Sequence, residues 1–172
     1  MIHGGPPTVV VYGPPLSSKT TLLLSIARAH HATPRSILIT PDPPFPPDDH
    51  KTVGVSLEGR VGPVTFQTIG GGVLGQGPWS KLLSTASDYL LTVPAWLEPS
   101  AALEWMRQAT VLAGRRPSAI AITKTDLASA SAATELKSLF TAEPNAPPVY
   151  FTSLAKTDTM LRPLEYFLLR NG

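Results

Sequence analysis

The segment with the most chemistry in it is Gly13-Pro14-Pro15-Leu16-Ser17-Ser18-Lys19-Thr20. It matches the pattern G-x-x-x-x-G-K-[ST] at every fixed position except one, where Ser18 replaces the second glycine. A β-branched run, Thr8 to Tyr12, precedes it, and a helical pattern follows. That strand-loop-helix context is the one in which backbone N–H groups and a helix N-terminus converge on an anion. Lys19 would reach the β- and γ-phosphates of a bound polyphosphate, and Thr20 would offer its hydroxyl to Mg²⁺. Gly13, Leu16, Ser17, Ser18, Lys19, Thr20 and Thr21 form the candidate phosphate-binding set. Pro15 supplies no N–H, and Ser18, if it holds a positive φ, costs about 1–2 kcal/mol. The plainer alternative is a polar strand-to-helix turn with Lys19 solvated.

A second constellation lies about a hundred residues on. The apolar run Ala119 to Ile122 leads into Thr123-Lys124-Thr125-Asp126. This resembles the N-K-x-D of GTPases, with Thr123 where Asn is usual. The resemblance implies that Asp126 accepts hydrogen bonds from guanine N1–H and the 2-amino group, and that the stem of Lys124 lies over the base. A helix-capping Asp is the plainer reading of Asp126. After the final strand, Thr152-Ser153-Leu154-Ala155 looks like the short loop of the same superfamily that backs guanine with a backbone N–H, which brings Ser153, Leu154 and Ala155 into the candidate set.

The elements that must position these groups alternate. Strands are expected at Thr8–Tyr12, Ser36–Thr40, Val53–Leu57, Val64–Gln67, Tyr89–Val93, Ala119–Ile122 and Val149–Thr152. Helices are expected at Lys19–His30, Trp79–Thr85, Glu98–Ala113, from Ser129 or Ser131 to Phe140, and at Thr157–Leu169. Leu22, Leu23, Ile26 and Ala27 share one face of the first helix, and Leu103, Met106, Ala109, Thr110 and Ala113 one face of the third. The order predicts an α/β fold: a three-layer, doubly wound, mostly parallel sheet. A turn at Glu58-Gly59-Arg60 predicts one antiparallel hairpin with an antiparallel edge strand. One domain over residues 1–172 is expected from the length.

Between the two anchors the sequence resembles the Mgl-type bacterial small GTPases, relatives of Ras and Arf. Tyr12-Gly13-Pro14 with Leu16 and Lys19-Thr20-Thr21 is similar to that family's Y-G-P-x-L-x-G-K-T-T; Thr68-Ile69-Gly70-Gly71 is similar to its T-V-P-G; Ser80-Lys81-Leu82-Leu83 resembles the helix after its second switch. The strand Ser36–Thr40 also fits. The resemblance implies a GTP/GDP-binding molecular switch with Mg²⁺, acting in bacterial cell polarity or motility through a roadblock (LC7)-type regulator. It implies that Thr52 and Gly71 sense the γ-phosphate, Thr52 also holding Mg²⁺. Gly72 stands where the family has its water-orienting Gln, leaving Gln76 as the substitute; Lys51 stands at the family's intrinsic arginine finger. Since an arginine finger alone is worth about 10³–10⁵ in rate, hydrolysis is expected to be slow or partner-assisted. The alternative is a pseudo-GTPase, a scaffold subunit with lost hydrolysis or lost nucleotide binding. An ATP-using P-loop kinase is the third reading, opposed by Asp126 and by the lack of an Arg-rich lid.

Composition narrows the classes further. Net charge is +2, 15% of residues are charged, and no long run of one sign occurs, so neither nucleic acid nor an anionic membrane is called for. No cysteine is present, which excludes disulfides and Cys-ligated zinc and suits a reducing compartment; the expectation is cytoplasmic, with no direct membrane anchor. Ser17 and Ser18 lack the flanking G-x-S-x-G of a hydrolase nucleophile. His30-His31 sits at a helix end without companions at metal spacing, so a helix-dipole contact is expected. Trp79, Trp96, Trp105 and Phe45 are expected in the core or at an interface.

Overall fold

The computed structural model describes residues 5–39, 54–70 and 76–172. Thr8–Tyr12 (β1) forms because four consecutive bulky apolar residues follow Thr8, all buried. Arg35–Ile39 (β2), Gly54–Val61 (β3), Val64–Gly70 (β4), Asp88–Pro94 (β5), Ala119–Thr123 (β6) and Val149–Phe151 (β7) complete one seven-stranded sheet, in the order β2-β3-β4-β1-β5-β6-β7. The helices are Lys19–Ala29 (α1), Gln76–Thr85 (α2), Pro99–Ala113 (α3), Ala130–Phe140 (α4) and Thr157–Asn171 (α5).

The period-two alternation of β1 divides the core into two layers. Val10 and Tyr12 pack with Leu83 of α2, the alanines of α3 and Leu136 and Phe140 of α4. Val9 and Val11 pack on the other face with Leu22, Leu23 and Ile26 of α1 and Leu164 and Phe167 of α5. The expected three-layer, doubly wound arrangement is present. β4, β1, β5, β6 and β7 are mutually parallel, and β3 is antiparallel to both neighbours. The antiparallel strand is therefore one position in from the edge, because β2 adds outside it.

Two expectations are corrected. The hairpin turns at Gly62-Pro63, not at Glu58-Gly59-Arg60, which pair along β3 with Gln67, Phe66 and Thr65. Gly62 holds φ 57°, the left-handed conformation a two-residue hairpin requires at its first central position. Gly59 is a packing glycine: a Cβ there would sit 3.3 Å from Leu23 Cδ2 of α1. In α3 the fully inward residues are Ala102, Ala109 and Ala113, with Met106 partly buried against the core as its spacing predicts, while Leu103 is exposed. Pro99 at the first turn sets the helix's phase. The aromatic space beside it is already taken by Trp105 and Trp79, whose rings lie 5.6 Å and 4.9 Å from that of Tyr12.

Candidate functional site

The chain leaves the sheet at Gly13 under tight steric constraint. A Cβ on Gly13 would lie 2.2 Å from the carbonyl oxygen of Thr92 and 2.3 Å from its hydroxyl. The space is occupied by a buried hydrogen-bond relay. Thr92 Oγ1 donates to the carbonyl of Tyr12 at 3.1 Å, so Ser17 Oγ must donate to Thr92 Oγ1, at 2.7 Å. Ser17 is fully buried and its N–H bonds Pro14 O at 3.3 Å. Its side chain therefore pins the loop to β5.

Leu16 and Ser18 both adopt left-handed φ, 62° and 66°. Each costs about 1–2 kcal/mol for an L-residue, and together they wrap the loop around the start of α1. Ser18 is the N-cap of α1 without a side-chain cap bond, and no acidic residue occupies the first turn. The first-turn N–H groups have no intrahelical acceptor, so the positive end of the helix is left for an outside anion. Lys19 Nζ reaches back to donate to Pro14 O at 2.7 Å, and Lys19 is only 9% exposed. Burial pulls its pKa down to about 8. The ammonium therefore survives below about pH 8 and is lost above it. If this loop holds a polyphosphate through the Lys19 ammonium, affinity is expected to be level below pH 8 and to fall above it, measured as Kd across pH 7–9.5. Affinity unchanged to pH 9.5 would remove Lys19 from the contact.

At the far end of the same hollow, β6 delivers Thr123 and Lys124. A cavity of about 410 Å³ is lined by Pro15, Leu16, Ser17, Ser18, Lys19, Thr20, Thr21, Lys124 and Leu154. It brings together the phosphate loop, the Lys of the T-K-T-D segment and one residue of the loop after β7. Two ammonium groups and no carboxylate line it. Lys124 holds φ 56°, and its Nζ stands 5.0 Å from the centre of the Trp96 ring. Asp126 lies exposed in the helical turn Thr125–Leu127 and is not among the residues lining the cavity. Thr125 ties the two loops, its N–H and hydroxyl both donating to Thr152 O at 3.2 and 3.1 Å. Of the final loop, Ser153 N–H donates to Thr159 Oγ1 and Ala155 N–H to Ser153 Oγ. Among the described residues, Leu154 N–H alone of the three has no partner, which singles it out from the expected trio.

Sequence reasoning did not find the threonines beneath this cavity. Thr68, Thr92, Thr123 and Thr152 are all fully buried. Strand register puts them on the α1/α5 face, along the carboxyl ends of β4, β5, β6 and β7. Thr68 donates to Val11 O, and Thr92 holds the relay above. The hydroxyls of Thr123 and Thr152 have no partner. A buried hydroxyl left unpaired costs about 1–3 kcal/mol, whereas an apolar replacement of the same shape is nearly neutral or stabilising. Thr123→Val is therefore expected to hold Tm or raise it by a few degrees in a thermal melt. A fall of more than about 4 °C would show that the hydroxyl has a partner.

Lys51, Thr52, Gly71 and Phe45 lie outside the described residues, and Gln76 opens α2 with its side chain outside them. Among the described residues no group of three or more His, Cys, Asp or Glu could hold a metal. No helix among them is long and apolar enough to cross a membrane. His31 holds φ 54° just after His30 caps α1.

No protein-family model matches the chain, and no curated protein matches it in sequence. Solved structures do match it in shape. The Arl6 (BBS3) small GTPase of Trypanosoma brucei, with the nucleotide analogue GppNp bound, superimposes with TM-score 0.58 at 18% identity, over 96% of this chain and 99% of its own. The Arf-like Sar1 GTPase of Encephalitozoon cuniculi, in complex with GDP, gives 0.57 at 15% identity over 97% and 83%. The G domain of the T. maritima FeoB iron transporter gives 0.56 at 16% identity over 96% and 98%. The chain has the fold of a small G domain. In that fold the carboxyl ends of β1 and β6 face one crevice, the general position for ligands in open α/β sheets. Here that crevice is the cavity between Lys19 and Lys124.

Proposed function

We propose that the chain is a guanine-nucleotide-binding switch whose phosphate site is the N-terminus of α1 and whose base site lies between Lys124 and Leu154. The observation that carries this reading is the shared cavity: an anion-ready helix end and Lys19 at one end, Lys124 and Leu154 at the other. The bound GDP and GppNp of two structural neighbours support the same ligand class. Lys19 would leave Pro14 O for the β- and γ-phosphates, regaining full charge as an anion replaces a carbonyl. Thr20 would hold Mg²⁺ together with Thr52. Lys124 would cover the base, Leu154 N–H would donate to guanine O6, and Asp126 would take guanine N1–H and the 2-amino group. Thr52 and Gly71 would sense the γ-phosphate. Gln76 and Lys51 are the hydrolytic candidates, and turnover would be slow or partner-assisted because a Lys lacks the bidentate fork of an arginine finger. The Mgl-type resemblance supports a roadblock-type regulator and a role in bacterial polarity or motility.

A second reading has its own observation. Leu16 and Ser18 carry strain that glycine would avoid, and Lys19 is satisfied internally by Pro14 O. Both favour a scaffold in which nucleotide binding has weakened. The two readings separate on Asp126→Asn. If Asp126 reads guanine, that variant loses GTP affinity by about tenfold or more, the size of one charge-assisted contact, and gains xanthosine triphosphate. An unchanged GTP affinity, measured by calorimetry, would remove the guanine assignment.

A further inference from the structure

Resting on the guanine-nucleotide reading, we propose that Trp96 is a positioning residue for base recognition, its indole anchoring the Lys124 ammonium so that the lysine stem forms a preset wall of the cavity. Trp96 lies between β5 and α3, is 45% exposed, and belongs to neither buried core cluster. A half-exposed tryptophan beside a site needs a reason. The backbone on both sides of it is fixed: Ala95 N–H donates to Thr123 O at 2.8 Å, and Leu97 N–H to Pro94 O at 3.0 Å. The first of these bonds ties the Trp96 segment to the residue immediately before Lys124. The two partners therefore stand on one braced frame, with Lys124 Nζ 5.0 Å from the ring centre.

A free lysine side chain samples many rotamers, and ordering it on a ligand costs affinity. Here the backbone end of Lys124 is held at φ 56° and the ammonium end by the indole face. The four methylenes between two fixed ends have few conformations left, and Lys124 lines the cavity together with Leu154. A flat base entering between them meets an apolar surface that is already ordered. Trp96 need not touch the ligand to act.

The test is calorimetric titration of the full chain with Mg·GDP for wild type, W96L, W96F, K124M and W96L/K124M, with a thermal melt of each. W96L is expected to weaken GDP by about threefold to tenfold, the size of one cation–π contact. W96F, which keeps a weaker aromatic face, is expected to recover part of that loss. In the K124M background W96L should have no further effect, because the indole acts only through the ammonium. Unchanged affinity in W96L, or the same loss in the K124M background, would overturn the proposal while leaving the nucleotide reading intact. If W96L melts too low to assay, W96F against W96F/K124M carries the same comparison. A wild type that gives no heat with GDP overturns both.

Discussion

Lys19→Met is expected to lower affinity for Mg·GTP by about 30- to 1,000-fold, the consequence of removing one member of a buried, hydrogen-bonded charge contact worth roughly 2–4 kcal/mol. The expectation rests on where Lys19 sits. It is 9% exposed at the mouth of α1, and its Nζ is already held at 2.7 Å by a carbonyl of the same loop. Arrival of a polyphosphate requires only that the ammonium change acceptor, so the group is preorganised. Methionine keeps the length and apolar stem of lysine and loses only the charge and the donors. Without ligand, the variant should melt close to wild type: it relieves the desolvation that pulls the lysine pKa to about 8, and Pro14 O keeps its bond from the Ser17 N–H. Binding and stability thus separate. Fluorescence titration with a labelled guanine nucleotide reads the first, and a thermal melt reads the second. Affinity within a few-fold of wild type would mean that the loop does not hold phosphate.

Gly13→Ala is the second large effect, and it should strike both. The added methyl would lie 2.2 Å from a backbone carbonyl of β5, not from the movable end of a side chain. β5 is paired on both sides, with β1 and β6, and Thr92 cannot withdraw without breaking that pairing or its bond to Tyr12 O. Overpacking of this kind costs about 3 kcal/mol or more, which for a domain of this size lowers Tm by roughly 6–12 °C. The relay from Ser17 through Thr92 would break as well, and nucleotide affinity should fall with it. Gly5→Ala is the control, since a Cβ there meets nothing within 4 Å. A Gly13→Ala variant that melts like wild type would contradict the packing account of this corner.

The framework of the site was legible because it is local. A buried apolar run, a loop ending in Lys-Thr and an amphipathic helix occupy consecutive residues, and Leu22, Leu23, Ile26 and Ala27 are buried as their spacing predicts. The same holds for Ala119 to Thr123 leading into Lys124. The misses have a common physical source, which is that packing partners distant in sequence decided them. Glu58-Gly59-Arg60 has the composition of a turn, yet Gly59 is there so that Leu23 of α1 can lie against β3. Leu103 has the spacing of a core residue, yet it is exposed, and α3 meets the core through Ala102, Ala109 and Ala113 with Trp105, Met106 and Leu112 partly buried against it. The threonine row and the Trp96–Lys124 contact draw on four strands and on two loops brought together by the sheet order. No window of the sequence contains either. Ser17 lies in the loop that lines the cavity, and its buried side chain braces that loop against Thr92, a contact between residues 75 apart in sequence.

Calorimetric titration of the nucleotide-free chain with GTP, GDP and ATP, each with Mg²⁺, bears most directly on the central claim. Saturable heat at one site per chain is expected with GTP and GDP, with ATP at least about 100-fold weaker, because a site built to hydrogen-bond one base rejects another that leaves its polar groups unpaired. No heat with any of the three, or ATP binding as tightly as GTP, would contradict it.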